Sequence, residues 1–322
     1  MKNRAKIIGD DSGLAKVMER VALVAPKEIP ILIHGESGSG KELIAQAIHE
    51  RSLRRDKIFR RVNCAAIAPA LIDSELFGHE KGAFTGTSGL HRGWFEQADQ
   101  GTLFLDEVGE LNAAAQSRLL RVQQDGSFTR VGGEKEVKSD VRIIAATHQY
   151  LPGLIEKKLF REDLFYRLSV FPIVIPPLRE RLADIAELAD CFAGRACDKY
   201  GVKPIAISRQ DIALLQEYSW PGNVRELASV IDRAVLLGEI TGELQIARAL
   251  GSFELADSSE QGKSRAVATS GAADDTLETV IRSHISRIVA ECHGRIDGPF
   301  GAAKRLAINP STLRSKMRKL NL

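Results

Sequence analysis

The chain has 322 residues, 44% of them apolar and 27% charged, with a net charge of +3. This length holds two or three domains and a sizeable core, and the balance is ordinary for a water-soluble protein. No apolar run approaches the ~18 residues of a membrane span, and Met1 to Gly13 lacks a signal-peptide core, so the expectation is a cytoplasmic protein with no membrane partner.

Residues 1–176 alternate short apolar strands with helical patterns. The predicted strands are Ile31–Ile33, Phe59–Val62, Thr102–Leu105, Val141–Ala145 and Val170–Ile175. Such alternation predicts an α/β domain, a parallel sheet with helices on both faces. After the first strand comes Gly35-Glu36-Ser37-Gly38-Ser39-Gly40-Lys41-Glu42, then the amphipathic stretch Leu43–Ile48. Strand, glycine-rich loop and helix in this order form a phosphate-binding loop. Its glycines let the backbone fold around an anion, so that several N–H groups and the helix N-terminus point at it. Lys41 adds a charge that reaches the β- and γ-phosphates of a nucleotide such as ATP. Glu42 stands where a Mg²⁺-binding Ser or Thr is usual.

The third strand ends in Asp106-Glu107. A strand apolar on both faces belongs in the middle of a parallel sheet, and its carboxyl end lies where such sheets bind ligands. Asp106 is placed to hold Mg²⁺, directly or through water, and Glu107 to polarise the attacking water. Four cysteines (Cys64, Cys191, Cys197, Cys292) and seven histidines show no metal-ligand spacing.

Pro176-Pro177 closes the α/β region. Residues 177–251 read as helices: Ala183–Tyr200, Ser208–Tyr218, Val224–Leu237 and Leu244–Leu250, with Ser208 and Asp211 as a capping box. Residues 252–275 are rich in Ser, Ala, Gly and Asp and read as a flexible linker. Residues 276–322 form a small all-α domain that ends in a helix-turn-helix pattern. Gly301–Leu306 is the first helix, Ala307-Ile308-Asn309 the turn and Pro310–Leu320 the second helix, whose first turn suits Pro310. From Gly294 to Leu322 there are seven Lys or Arg and one acid. A recognition helix puts its N-terminal residues at base edges in the major groove. Ser311, Thr312, Arg314 and Ser315 are therefore expected near bases or phosphates, and Lys304, Arg305, Lys316 and Arg318 mostly near the phosphates of double-stranded DNA.

Taken together, these motifs closely resemble the bacterial enhancer-binding activators of sigma-54 RNA polymerase, within the AAA+ ATPases, in their formate-hydrogenlyase-activator branch. The most specific element is Glu75-Leu76-Phe77-Gly78-His79-Glu80-Lys81-Gly82-Ala83-Phe84-Thr85-Gly86-Thr87. It is similar to the family's sigma-contacting loop, with Thr87 where the family has Ala. The resemblance implies sigma-54 contacts from Gly82, Ala83, Phe84, Thr85, Gly86 and Thr87. Gly82, Gly86 and Gly89 suit a mobile loop, and an exposed Phe84 at its tip would mark a contact.

Further roles come from the same resemblance. Asn63 matches a switch partner that restrains the catalytic Glu107. Thr147, in Ala145-Ala146-Thr147-His148, matches a first sensor nearest the γ-phosphate. Arg161 and Arg167 match arginine fingers that reach a neighbouring subunit's nucleotide, and Arg225 matches a second sensor on the helical lid. Arg130-Val131-Gly132 resembles a second loop that supports the first, and the tail resembles a Fis-type DNA-binding domain. The implied protein is an ATP-dependent activator. It binds upstream DNA as a dimer, closes into a ring, a hexamer, and remodels sigma-54 polymerase to the open complex. The alternative is a nucleotide-sensing DNA-binding regulator without remodelling activity. Because the ATPase pattern begins within the first ten residues, control comes from a partner in trans, or the chain is a fragment.

Overall fold

The computed structural model describes residues 7–83 and 89–251, and, toward the C-terminus, 282, 284–286, 288, 289, 295–298, 302–306 and 308–320. The linker expected at 252–275 lies outside them. The chain forms two compact units, Met1–Ser259 and Glu260–Leu322.

In the first unit, helix α1 (Ala15–Val24) precedes strand β1 (Ile31–His34) and helix α2 (Lys41–Glu50). Strand β2 (Phe59–Asn63), helices α3 (Ile72–Phe77) and α4 (Trp94–Gln97), and strand β3 (Thr102–Asp106) follow. Helix α5 (Ala113–Asp125) leads into strands β4 (Ser127–Thr129) and β5 (Glu136–Lys138). Strand β6 (Arg142–Thr147), helices α6 (Leu151–Glu156) and α7 (Glu162–Leu168), and strand β7 (Phe171–Val174) complete the α/β part.

Five strands form one parallel sheet in the order β2-β3-β6-β1-β7. Alternate residues of its inner strands enter different layers. Leu103, Leu105, Ile143 and Ala145 pack on the face covered by α3, α5 and α7. Phe104, Ile144, Ala146, Ile31 and Ile33 pack on the face covered by α1 and α2. Burial on both faces is why these strands read as unbroken apolar runs. β7 is an edge strand, which tolerates Pro172 because a proline has no N–H to give a ladder.

Register sets the functional edge. Asn63 pairs with Asp106 across β2 and β3, and His34 pairs with Thr147 across β1 and β6. The acidic strand end, Thr147 and the start of the phosphate loop therefore share one edge. The antiparallel β4–β5 pair was not anticipated; three residues per strand give too little alternation to register in a sequence pattern.

Beyond β7 come helices α8 (Ile185–Tyr200), α9 (Arg209–Glu217) and α10 (Asn223–Gly238), then helical residues 246–251. α8 starts two residues later than expected because Leu182–Asp184 is a 3₁₀ turn. The Ser208–Asp211 capping box is present. This layer has its own core around Trp220, which is fully buried and donates its indole N–H to Leu215 O at 2.7 Å.

In the second unit, Ala302–Arg305 and Pro310–Lys319 are helices. Ala302, Ala303, Leu313, Leu320, Ile285 and Ile288 form its core. Asn309 caps the second helix, its Oδ1 accepting from Ser311 N at 3.2 Å.

Candidate phosphate-binding and catalytic site

The phosphate loop leaves β1 with Gly35 N donating to Thr147 O at 3.3 Å. Gly38 has φ of +75°, and a Cβ there would lie 2.4 Å from Gly222 O, so only glycine fits beneath the lid. Lys41 is 6% exposed and its Nζ is shared three ways. It donates to Gly35 O at 3.0 Å and Glu36 O at 3.3 Å, and stands 3.3 Å from Glu107 Oε1. Glu42 pairs with Arg61 of β2.

Glu107 takes a left-handed backbone, φ +54°, in a region non-glycine residues seldom occupy and one where strain collects at working sites. Its Oε2 accepts from His148 N at 3.1 Å and from His148 Nδ1 at 2.7 Å. Burial raises its pKa, but the two His148 donors and the charge of Lys41 outweigh this, so it ends below the usual carboxylate value. Asp106 moves the other way. Burial and the charge of Glu107 raise it, against smaller opposing effects of Lys41 and the Glu107 N–H. Adjacent carboxylates pushed in opposite directions are the arrangement that divides chemical roles.

The lid is tied directly to the loop. Arg179 grips Glu36 with two bonds of 2.6 and 2.9 Å, and Arg181 donates to Ser39 O at 2.7 Å. Arg179 and the Asn223 amide together depress Glu36 to a pKa of about 2. Arg225 donates to Ser37 Oγ at 2.9 Å, and Val224 N donates to Gly38 O at 3.1 Å. Asn223 is fully buried with φ of +53°. It donates to Glu36 Oε2 at 3.0 Å and Ser37 O at 3.1 Å, and accepts from Leu178 N at 2.8 Å. Asn223→Ala would strand the buried Leu178 N–H and lose asparagine's tolerance of this backbone. The expected cost is about 1–3 kcal/mol, the penalty of a buried group left unpaired. Chemical denaturation measures it, and an unchanged midpoint would show that the latch contributes nothing to stability.

A cavity of about 290 Å³ opens between these parts, with Lys41, Asp106 and Glu107 on one side and Phe192, Val224 and Arg225 on the other. A second cavity, about 680 Å³, lies at the amino ends of the strands and includes Arg167 but no residue of the phosphate loop.

The structure thus brings together Gly35 to Lys41, Asp106, Glu107, Thr147 and Arg225. Thr147 is 1% exposed and its Oγ1 accepts from Gln149 N at 3.0 Å. Asn63 differs from expectation. Its Oδ1 caps the next turn by accepting from Ala65 N at 2.9 Å, and the partners of Glu107 are Lys41 and His148. Arg161 pairs with Asp163 at 2.7 Å and donates to Ser117 Oγ at 3.3 Å. Sequence reasoning missed Asn223, Arg179, Arg181, Phe192 and the His148–Glu107 contact. A lone Asn after Pro-Gly was the only signal for the latch.

The stretch resembling a sigma contact begins at α3. Phe84, Thr85, Gly86 and Thr87 lie outside the described residues, while Gly82 and Ala83 lie within them. The flanks are pinned. His79 and His91 exchange backbone hydrogen bonds of 3.1 and 3.0 Å, and Val131 N donates to Gly78 O at 2.9 Å. Arg130 forks to Glu80 at 2.7 Å and Glu96 at 2.8 Å. A Cβ on Gly132, where φ is +74°, would lie 2.8 Å from the Ala83 Cβ. The second loop therefore abuts the base of the first.

In the second unit Lys304, Ser311, Thr312, Arg314, Ser315, Lys316 and Arg318 are exposed, and Arg314 pairs with Asp297. Arg305 lies within the short Ala302–Arg305 helix. Among the described residues, no helix is long and apolar enough to cross a membrane.

A parallel sheet of this order, a phosphate loop after β1, an acidic end on β3 with β6 between the two, and a helical lid define a P-loop domain of the AAA+ class. Residues 7–174 match the Sigma-54 interaction domain family and residues 179–265 the AAA+ ATPase lid domain, and the chain belongs to the former family. It is similar to the DNA-binding transcriptional activator HyfR of Escherichia coli, at 42% identity over 98% of this chain and 48% of the relative. It is also similar to the nitrogen fixation protein AnfA of Azotobacter vinelandii, at 43% identity over 100% and 59%. The chain spans about half the length of these relatives. Among solved structures it resembles NtrX from Brucella abortus in complex with ATP, with TM-score 0.71 and 33% identity over 99% of this chain and 70% of that one.

Proposed function

We propose that this chain is the ATP-driven, DNA-binding module of a sigma-54 transcription activator. The supporting observation is the convergence of Lys41, Asp106 and Glu107 on one sheet edge, in a chain of the Sigma-54 interaction domain family. ATP lies between loop and lid, its phosphates on the loop N–H groups and Lys41, with Arg225 facing them from the lid. Glu107 orients and polarises the attacking water. Asp106 fits a divalent cation, because burial and the neighbouring charge of Glu107 both disfavour its bare anion. Mg²⁺ held there, with phosphate oxygens and water completing its shell, would offset charge on the β- and γ-phosphates. Glu42, paired with Arg61, is not needed for this.

Arg161 and Arg167 act on a neighbouring subunit's nucleotide, which requires a homo-oligomer, dimer to hexamer. Hydrolysis moves the loop at Phe84 against sigma-54, its base braced by Arg130. The C-terminal unit binds upstream double-stranded DNA, with the exposed Ser311, Thr312, Arg314 and Ser315 at the entering end of its second helix. Arg314 would exchange Asp297 for a phosphate on binding. Opening about ten base pairs costs on the order of 14 kcal/mol at ~1.4 per step, which gives the ATPase its task.

The test is trapping. With ADP–aluminium fluoride the protein is expected to retain sigma-54 in a pull-down, and with Phe84→Ala it is not. Brisk hydrolysis without capture in any nucleotide state would leave the nucleotide-sensing regulator as the reading.

A further inference from the structure

We infer that His148 is the positioning residue that aims the Glu107 carboxylate during hydrolysis. The inference rests on the hydrolytic reading above. The carboxylate has two sets of donors. Lys41 stands 3.3 Å from Oε1, while Oε2 takes both the backbone N–H and the ring Nδ1 of His148, at 3.1 and 2.7 Å.

These two anchors respond differently to a nucleotide. Lys41 belongs to the phosphate loop, where its ammonium also donates to Gly35 O and Glu36 O. A phosphate in the cleft competes for that ammonium, and a carboxylate held by Lys41 alone would then be unguided. His148 follows Thr147 at the end of β6, and its donors do not belong to the loop. Its ring keeps hold of Oε2 while Oε1 is released toward water. Two donors from one residue on one oxygen fix both the direction and the rotation of the carboxylate. Asn63, the other residue expected to restrain Glu107, could do so only by donating from Nδ2, and the side-chain partners of Glu107 here are Lys41 and His148. To donate to a carboxylate, Nδ1 must carry the ring proton.

The ring can be changed without opening the core, because the His148 side chain is 45% exposed while that of Glu107 is 13% exposed. The experiment compares His148→Ala, His148→Leu and His148→Asn in the full chain, by steady-state ATP hydrolysis and by nucleotide affinity. An Asn side-chain amide sits near the place of Nδ1 and can donate; Ala and Leu cannot.

The Ala and Leu variants are expected to lose kcat by about 10- to 100-fold, the range a small misplacement of a reacting group produces. Nucleotide affinity should hold, and Asn should restore most of the rate. Equal loss in all three variants, unchanged kcat in the Ala variant, or a loss carried by affinity would overturn the inference. If the wild type does not hydrolyse ATP, or Glu107→Gln hydrolyses it normally, the parent reading fails instead, so the two failures are separable.

Discussion

Glu107→Gln is expected to bind ATP at least as tightly as the wild type and to hydrolyse it about 10²- to 10⁴-fold more slowly, the usual contribution of a positioned proton acceptor. The amide keeps the shape of the side chain, and its carbonyl can still accept from the His148 N–H groups. What it lacks is the negative charge that polarises water. The same lost charge frees Lys41 from its ion pair at 3.3 Å, which is why binding should not weaken. Phosphate release and calorimetric titration measure the two halves separately. Turnover at the wild-type rate would remove Glu107 from the chemistry.

Replacing Arg161 or Arg167 with Ala is expected to cost about 10³- to 10⁵-fold in hydrolysis, the scale of an arginine supplied to another subunit's phosphates. Within one chain neither residue reaches the phosphate loop. Arg161 is held by Asp163 and Ser117, and Arg167 lines the cavity at the amino ends of the strands. A direct effect on the phosphates is then expected to cross between copies. Two measurements check this. Wild-type rate should rise more steeply than linearly with protein concentration. Mixing Arg167→Ala chains with Lys41→Ala chains should also restore activity that neither has alone, because some interfaces then combine an intact loop with an intact arginine. Mixtures that stay inactive, alongside a rate proportional to concentration, would count against action in trans.

Some of this was legible in the chain and some was not, for physical reasons. The three inner strands β1, β3 and β6 were legible because burial on both faces leaves a strongly apolar signature, as in Thr102–Leu105. The edge strands β2 and β7 are mostly half-buried or exposed and were legible from the alternation of strand and helix patterns. The phosphate loop was legible because its chemistry is local: eight consecutive residues carry it. Ser208 and Asp211 were legible as a cap for the same reason. The lid latch was not. Asn223 meets Glu36, and Arg181 meets Ser39, across 187 and 142 residues of chain, and no local pattern encodes such a meeting. The His148–Glu107 contact depends on the left-handed turn at Glu107, which swings the carboxylate toward β6. A strand-end Asp-Glu pair gives no hint of that turn. The β4–β5 pair was hidden by its brevity, although Phe128 within it is buried.

The bonds from Arg179, Arg181, Asn223, Val224 and Arg225 to the phosphate loop have a mechanical consequence. Loop carbonyls and side chains that would otherwise settle around a nucleotide by themselves are already fastened to helices. A small displacement of Ser37 or Gly38 is therefore expected to pull on the lid helices through these bonds, as the short arm of a lever pulls on the long one.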